Sequence, residues 1–78
     1  MTVDAVLAIF RRVLPSSDLD VDSDFFTVGG DSLLATRVLS AVARECGVEL
    51  TFEEFLLAPT PAALAVTIAT TVGNGALR

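Results

Sequence analysis

Phe25 to Leu34 reads FFTVGGDSLL, and the change of spacing inside it sets the fold. Two glycines bring the chain up to Asp31 and Ser32, after which apolar residues recur at three- and four-residue steps. That periodicity predicts a helix from about Ser32 to Cys46, with Gly47 as its C-terminal stop. At 100° per residue, Leu34, Ala35, Val38, Ala41, Val42 and Cys46 gather on one face and must look into a core. Thr36, Arg37, Ser40 and Arg44 gather on the other, and Glu45 falls near the apolar edge. Leu33 is out of pattern: it sits in the middle of the polar face, next to Ser32.

Before this helix runs a long connection from Pro15 to about Asp31, carrying Ser16, Ser17, Asp18, Asp20, Asp22 and Asp24. A structureless loop of this length is unusual in so small a domain and is often functional. Leu19, Val21, Phe25, Phe26 and Val28 recur along it and are expected to pin it onto the helices. A first helix precedes the loop, with Val3, Val6, Leu7, Phe10, Val13 and Leu14 as its apolar stripe. Thr2 caps its start, Asp4 and the pair Arg11–Arg12 suit its dipole, and Pro15 stops it. After Gly47, Thr51 and Glu54 in TFEEF have capping-box spacing, with Phe52, Phe55 and Leu56 expected to point inward. Thr60-Pro61 opens a last helix carrying Leu64, Ile68 and Val72, which Gly73-Asn74-Gly75 is expected to end. The predicted fold is all-α. It is a small four-helix bundle of three main helices and one short one, with a long loop between helices 1 and 2. Residues 1–78 form a single domain, and about 73–78 a flexible tail.

Composition removes several function classes. The 78 residues are 53% hydrophobic and carry a net charge of −5, with mean hydropathy +0.69. An acidic domain does not suit the phosphate backbone of a nucleic acid. No run approaches the ~20 apolar residues of a membrane-spanning helix, and no basic-then-apolar leader opens the chain. A soluble, cytoplasmic protein is expected. Cys46 is the only cysteine and histidine is absent. The sequence thus lacks an intrachain disulfide, the commonest metal ligand and the commonest general base.

Ser32 is the residue that needs explaining. As a nucleophile it would need a base to take its proton, and no histidine exists to do so. The nucleophile-elbow pattern fails at Leu34, where glycine is required. Phosphate-loop spacing fails too, for want of a Gly-Lys-Ser/Thr run. The acids of DLDVDSD do not make a calcium loop: counted from Asp18, position six is Ser23 and position twelve is Gly29. A plain helix cap at Asp31 or Ser32 accounts for part of the pattern. It leaves the glycine pair, the aromatic pair and Leu33 without a reason. A lone exposed leucine is ordinary, but one adjoining a glycine-flanked serine suits a docking surface.

The run Asp24-Phe25-Phe26-Thr27-Val28-Gly29-Gly30-Asp31-Ser32-Leu33-Leu34 resembles the core motif of phosphopantetheine-binding carrier domains. It is most similar to the peptidyl carrier (thiolation) domains of nonribosomal peptide synthetases. The order of elements along nearly the whole chain is similar as well. The resemblance implies a non-catalytic carrier, with Ser32 holding covalent 4′-phosphopantetheine from coenzyme A, and Asp31 and Gly30 beside it. Leu33, Val28 and Arg37 are then the expected partner-recognition patch, and the glycines leave the serine uncovered. The cargo, a thioester on the arm, is expected to stay mostly outside the small core.

The implied partners are a phosphopantetheinyl transferase, an adenylation enzyme or domain, and condensation, tailoring or thioesterase enzymes. No nucleic acid, membrane or metal is expected, and the protein should be a monomer. The Gly-Gly pair, and Arg37 and Arg44 on the second helix, favour a peptidyl carrier over an acyl carrier of polyketide or fatty-acid synthesis, which is the alternative. A helical interaction module that is never modified is a third reading. Asp31 stands where peptidyl carriers often have histidine, a form that resembles carriers next to epimerisation domains or discrete ones. A chain from Met1 to a short tail suggests a free-standing carrier, although an excised domain would read the same.

Overall fold

Residues 1–16 and 18–76 are described by the computed structural model, with side chains as far as residue 71. Within them the chain forms α1 (Val3–Val13), α2 (Ser32–Cys46), α3 (Phe52–Leu57) and α4 (Pro61–Ala76). Helix α1 packs against both α4 and α2, and α3 packs on α2.

Local signals place most of the boundaries. The Thr2 hydroxyl accepts the Ala5 N–H at 3.1 Å. Helix α1 ends because Pro15 drives Leu14 into the extended region (φ −82°, ψ 148°). Gly47 closes α2 in the left-handed conformation at φ 73°, its N–H donating to the Ala43 carbonyl. The capping box of α3 is complete: Thr51 Oγ1 accepts from the Glu54 N–H, and the Glu54 carboxylate accepts from the Thr51 N–H. Thr60 Oγ1 accepts the Ala63 N–H at 3.1 Å ahead of α4.

Helix α4 runs on to Ala76, past the glycines expected to end it. Glycine weakens a helix by about 1 kcal/mol relative to alanine but keeps its N–H, and no proline follows to forbid the turn. The expected tail thus overlaps helix at 73–76, while residues 77–78 and the Val72 side chain lie outside what is described.

All five phenylalanines join in one cluster. Phe25, from the loop, is wholly buried. Its ring centroid lies 5.2 Å from Phe10, 4.9 Å from Phe55 and 5.3 Å from Phe26, and Phe26 in turn meets Phe52 at 6.2 Å. Such pairs contribute about 0.5–1.5 kcal/mol each beyond the area they bury. Ile9, Val38, Val42, Leu64 and Ile68 complete the centre.

Two inward expectations for α3 are wrong. Phe55 is buried, but Leu56 is 49% exposed and Phe52 lies at the surface, with one side against Phe26. A six-residue helix turns less than twice, so it buries one narrow stripe, and Phe55 with the following Ala58 fills it. The core also takes Ile9, Val48 and Leu50, none of them on the expected stripes.

The long loop is pinned as expected. Leu19 and Phe25 are buried, and Val21, Phe26 and Val28 pack against the core. The Arg11 guanidinium donates to the Leu19 carbonyl at 3.1 Å. Backbone bonds tie the loop to the start of α4: Phe25 N–H to the Pro59 carbonyl at 2.8 Å, and Ala62 N–H to the Val21 carbonyl at 3.0 Å. The acids serve the loop's own turns. The Asp24 carboxylate accepts from the Phe26 and Thr27 N–H groups, and that of Asp20 from the Asp22 N–H and the Ser23 hydroxyl.

Candidate functional site: the serine at the head of α2

Phe25 positions the approach to the site. Its carbonyl accepts the Gly30 N–H at 2.9 Å, and its ring lies directly against Gly30. A Cβ on Gly30 would fall 2.3 Å from two ring carbons of Phe25, closer than real Cβ atoms come. Gly29 sits at φ +110°, a conformation that L side chains rarely adopt, against the Pro15 ring. From the sequence, the glycines read as a means of leaving the serine uncovered. The structure adds a different reason for Gly30, which is close packing on an aromatic core.

Beyond Gly30, Asp31 is the N-cap of α2. Its Oδ1 accepts the Leu34 N–H at 2.9 Å and its carbonyl the Ala35 N–H at 2.8 Å. The carboxylate is thereby engaged in holding the helix start. Ser32, the first helical residue, is exposed. Its carbonyl accepts the Thr36 hydroxyl at 3.0 Å. Among the described residues, no protein acceptor takes the N–H of Ser32 or Leu33. These two donors point along the positive end of the helix dipole, where a singly charged phosphodiester on Ser32 Oγ would be favoured.

Leu33 is 66% exposed, and it is not isolated. With Arg37, Ser40 and Arg44 it forms one wall of an open groove of about 460 Å³ between α1 and α2. Arg12 and Val13 form the opposite wall, over a floor that includes Ile9 and Ala41. Arg12 pairs with Glu45 across the two helices, which gives a partner to the acid that looks misplaced at the apolar edge. Val28 stands apart from this groove, half-buried against the core. The structure therefore brings Leu33 and Arg37 together and leaves Val28 out. Sequence reasoning misses the α1 side. It assigns Arg12 only to a helix dipole, and nothing in the spacing of α1 indicates which helix its polar edge will face.

Residues 4–68 match the model of the phosphopantetheine attachment site. The chain belongs to that family. The cofactor of this carrier domain is accordingly 4′-phosphopantetheine, and a serine lying open at a helix N-terminus, with two free N–H groups beside it, fits the group. Relatives include a linear gramicidin synthase of Brevibacillus parabrevis, 38% identical over 99% of this chain and 1% of the synthase. The dimodular nonribosomal peptide synthase of Bacillus subtilis is 40% identical over 73% of this chain and 2% of its own length. The carrier domain thus spans only a few hundredths of the length of these relatives.

Among solved structures, it is similar to a chain in the complex of the phosphopantetheine transferase Sfp with coenzyme A and a peptidyl carrier protein. The TM-score is 0.84 at 36% identity, covering 90% of this chain and 91% of that one. The expected all-helical carrier fold is the one observed. Among the described residues, no helix is long and apolar enough to cross a membrane.

Proposed function

We infer that this domain is a peptidyl carrier of nonribosomal peptide synthesis, modified at Ser32. The observation that carries the assignment is the exposed Ser32 at the head of α2, with the N–H groups of Ser32 and Leu33 left open. A transferase supplies the base that the chain lacks. As the bond from Ser32 Oγ to phosphorus forms, the diphosphate bond of coenzyme A breaks, 3′,5′-adenosine bisphosphate leaves, and the hydroxyl proton passes to the transferase. When attached, the arm supplies a thiol that holds an aminoacyl or peptidyl group as a thioester. The protein itself fixes the attachment point, neutralises part of the phosphate charge through the α2 N-terminus, and presents Leu33 beside it.

The domain does no chemistry on its cargo and is a substrate of its partners in the cytoplasm. Those partners are a phosphopantetheinyl transferase, an adenylation enzyme, and condensation, tailoring or thioesterase enzymes. Similarity to a peptidyl carrier protein and to peptide synthetases supports the peptidyl over the fatty-acyl or polyketide reading. The test is intact mass before and after incubation with coenzyme A and a permissive transferase, with Ser32→Ala alongside. One phosphopantetheine on the wild type and none on the folded variant is the expected result. No addition to the folded wild type would overturn the assignment.

A further inference from the structure

The groove between α1 and α2 is the cationic feature of an acidic molecule. The chain has five cationic side chains and ten acidic ones, and three of the five, Arg12, Arg37 and Arg44, line this one groove. Arg12 is engaged by Glu45, the one ion pair among the described residues. Arg37 and Arg44 have no carboxylate partner there. On α2, Leu33, Arg37, Ser40 and Arg44 fall within roughly 60° of arc, so the cationic wall is continuous. It begins at the residue after Ser32.

We propose that this groove receives an anionic acyl group carried by the domain's own arm, with the carboxylate of the cargo between Arg44 and Arg37. The proposal rests on attachment at Ser32. Reach supports it: Arg44 lies twelve residues along α2 from Ser32, about 18 Å at 1.5 Å per residue. About fourteen bonds separate the serine oxygen from the sulfur, and an extended chain advances about 1.2 Å per bond, giving about 17 Å. The extended arm alone thus reaches the level of Arg44, so an arm that bends within the groove brings a carboxylate a few bonds beyond the thioester carbonyl into the space between Arg37 and Arg44. The arm itself would pass over Leu33, the acyl methylenes would lie on Val13, and the Ser40 hydroxyl is placed to donate to an amide carbonyl of the arm. A guanidinium presents paired donors to a carboxylate, whereas an uncharged acyl end gains nothing there. Ion pairs in so open a groove are individually weak, so the docked state exchanges with the free one and the cargo remains available to partners.

The test loads the wild-type domain from glutaryl-coenzyme A and, separately, from pentanoyl-coenzyme A, checks each product by intact mass, and compares NMR spectra. The expected result is that the glutaryl form, relative to the pentanoyl form, shifts the Val13 methyls and the side-chain Nε–H signals of Arg37 and Arg44. Arg37→Gln/Arg44→Gln, whose exposed positions leave the fold intact, should abolish the difference, and high salt should shrink it. Groove signals identical for the two loads would overturn the proposal while leaving the carrier assignment standing. Failure of the folded domain to take up either arm would overturn both, and mass alone tells the two failures apart.

Discussion

Gly30 lies against the ring of Phe25, so closely that a methyl group on it would come within 2.3 Å of two ring carbons. The contact joins the centre of the core to the head of α2, since Phe25 is wholly buried and Ser32 is only two residues beyond Gly30. Gly30→Ala should accordingly lower stability by about 1–3 kcal/mol, the usual cost of overpacking. In a domain of this size each kcal/mol moves Tm by roughly 4–8 °C. Thermal unfolding checks it, and an unchanged Tm would mean that the ring moves aside freely.

Phe25→Ala should be more severe. Removal of a fully buried phenylalanine costs about 3–5 kcal/mol, and small domains hold little stability in reserve. Urea unfolding should show a large drop in midpoint, and transferase modification should fall with the folded fraction.

Much of this is legible in the sequence, for physical reasons. Caps and stops act locally, so Thr2, Thr51, Glu54 and Gly47 can be assigned from neighbours within four residues. The long stripe of α2 is equally readable because eleven or more residues average out any single exception. Leu56 fails because a six-residue helix offers no averaging, and its neighbour Phe55 occupies the available core. Arg12 in the groove and Phe25 on Gly30 depend on how distant segments meet. No local pattern encodes either relationship.

Asp31→Ala removes an N-cap whose carboxylate accepts the Leu34 N–H. A loss of about 1 kcal/mol is expected, with Asp31→Asn retaining most of the wild-type stability. Chemical denaturation of the two variants side by side is the check.

Leu33→Glu should separate folding from recognition. At 66% exposure the side chain contributes little to the core, so stability should stay within about 0.5 kcal/mol. The rate of phosphopantetheine transfer, followed by intact mass, should fall roughly tenfold, as expected from losing an apolar contact of about 1–2 kcal/mol. An unchanged rate would remove Leu33 from the recognition surface.

Glu45→Ala breaks the only ion pair among the described residues. Its two side chains are 59% and 40% exposed, and solvent screening leaves such pairs about 0–1 kcal/mol. A change in unfolding midpoint close to the error of measurement is expected.

The two backbone bonds that join Val21 and Phe25 to Ala62 and Pro59 have a temporal meaning. A chain synthesised from its N-terminus contains Ser32 before Pro59 has been made. Until that later segment arrives, Phe25 has no anchor at its N–H, and Gly30 has no fixed ring to lie on. The serine is therefore present early but presented late. A transferase that requires the presented form would, in effect, inspect each newly made domain and mark only those whose last helix has come home.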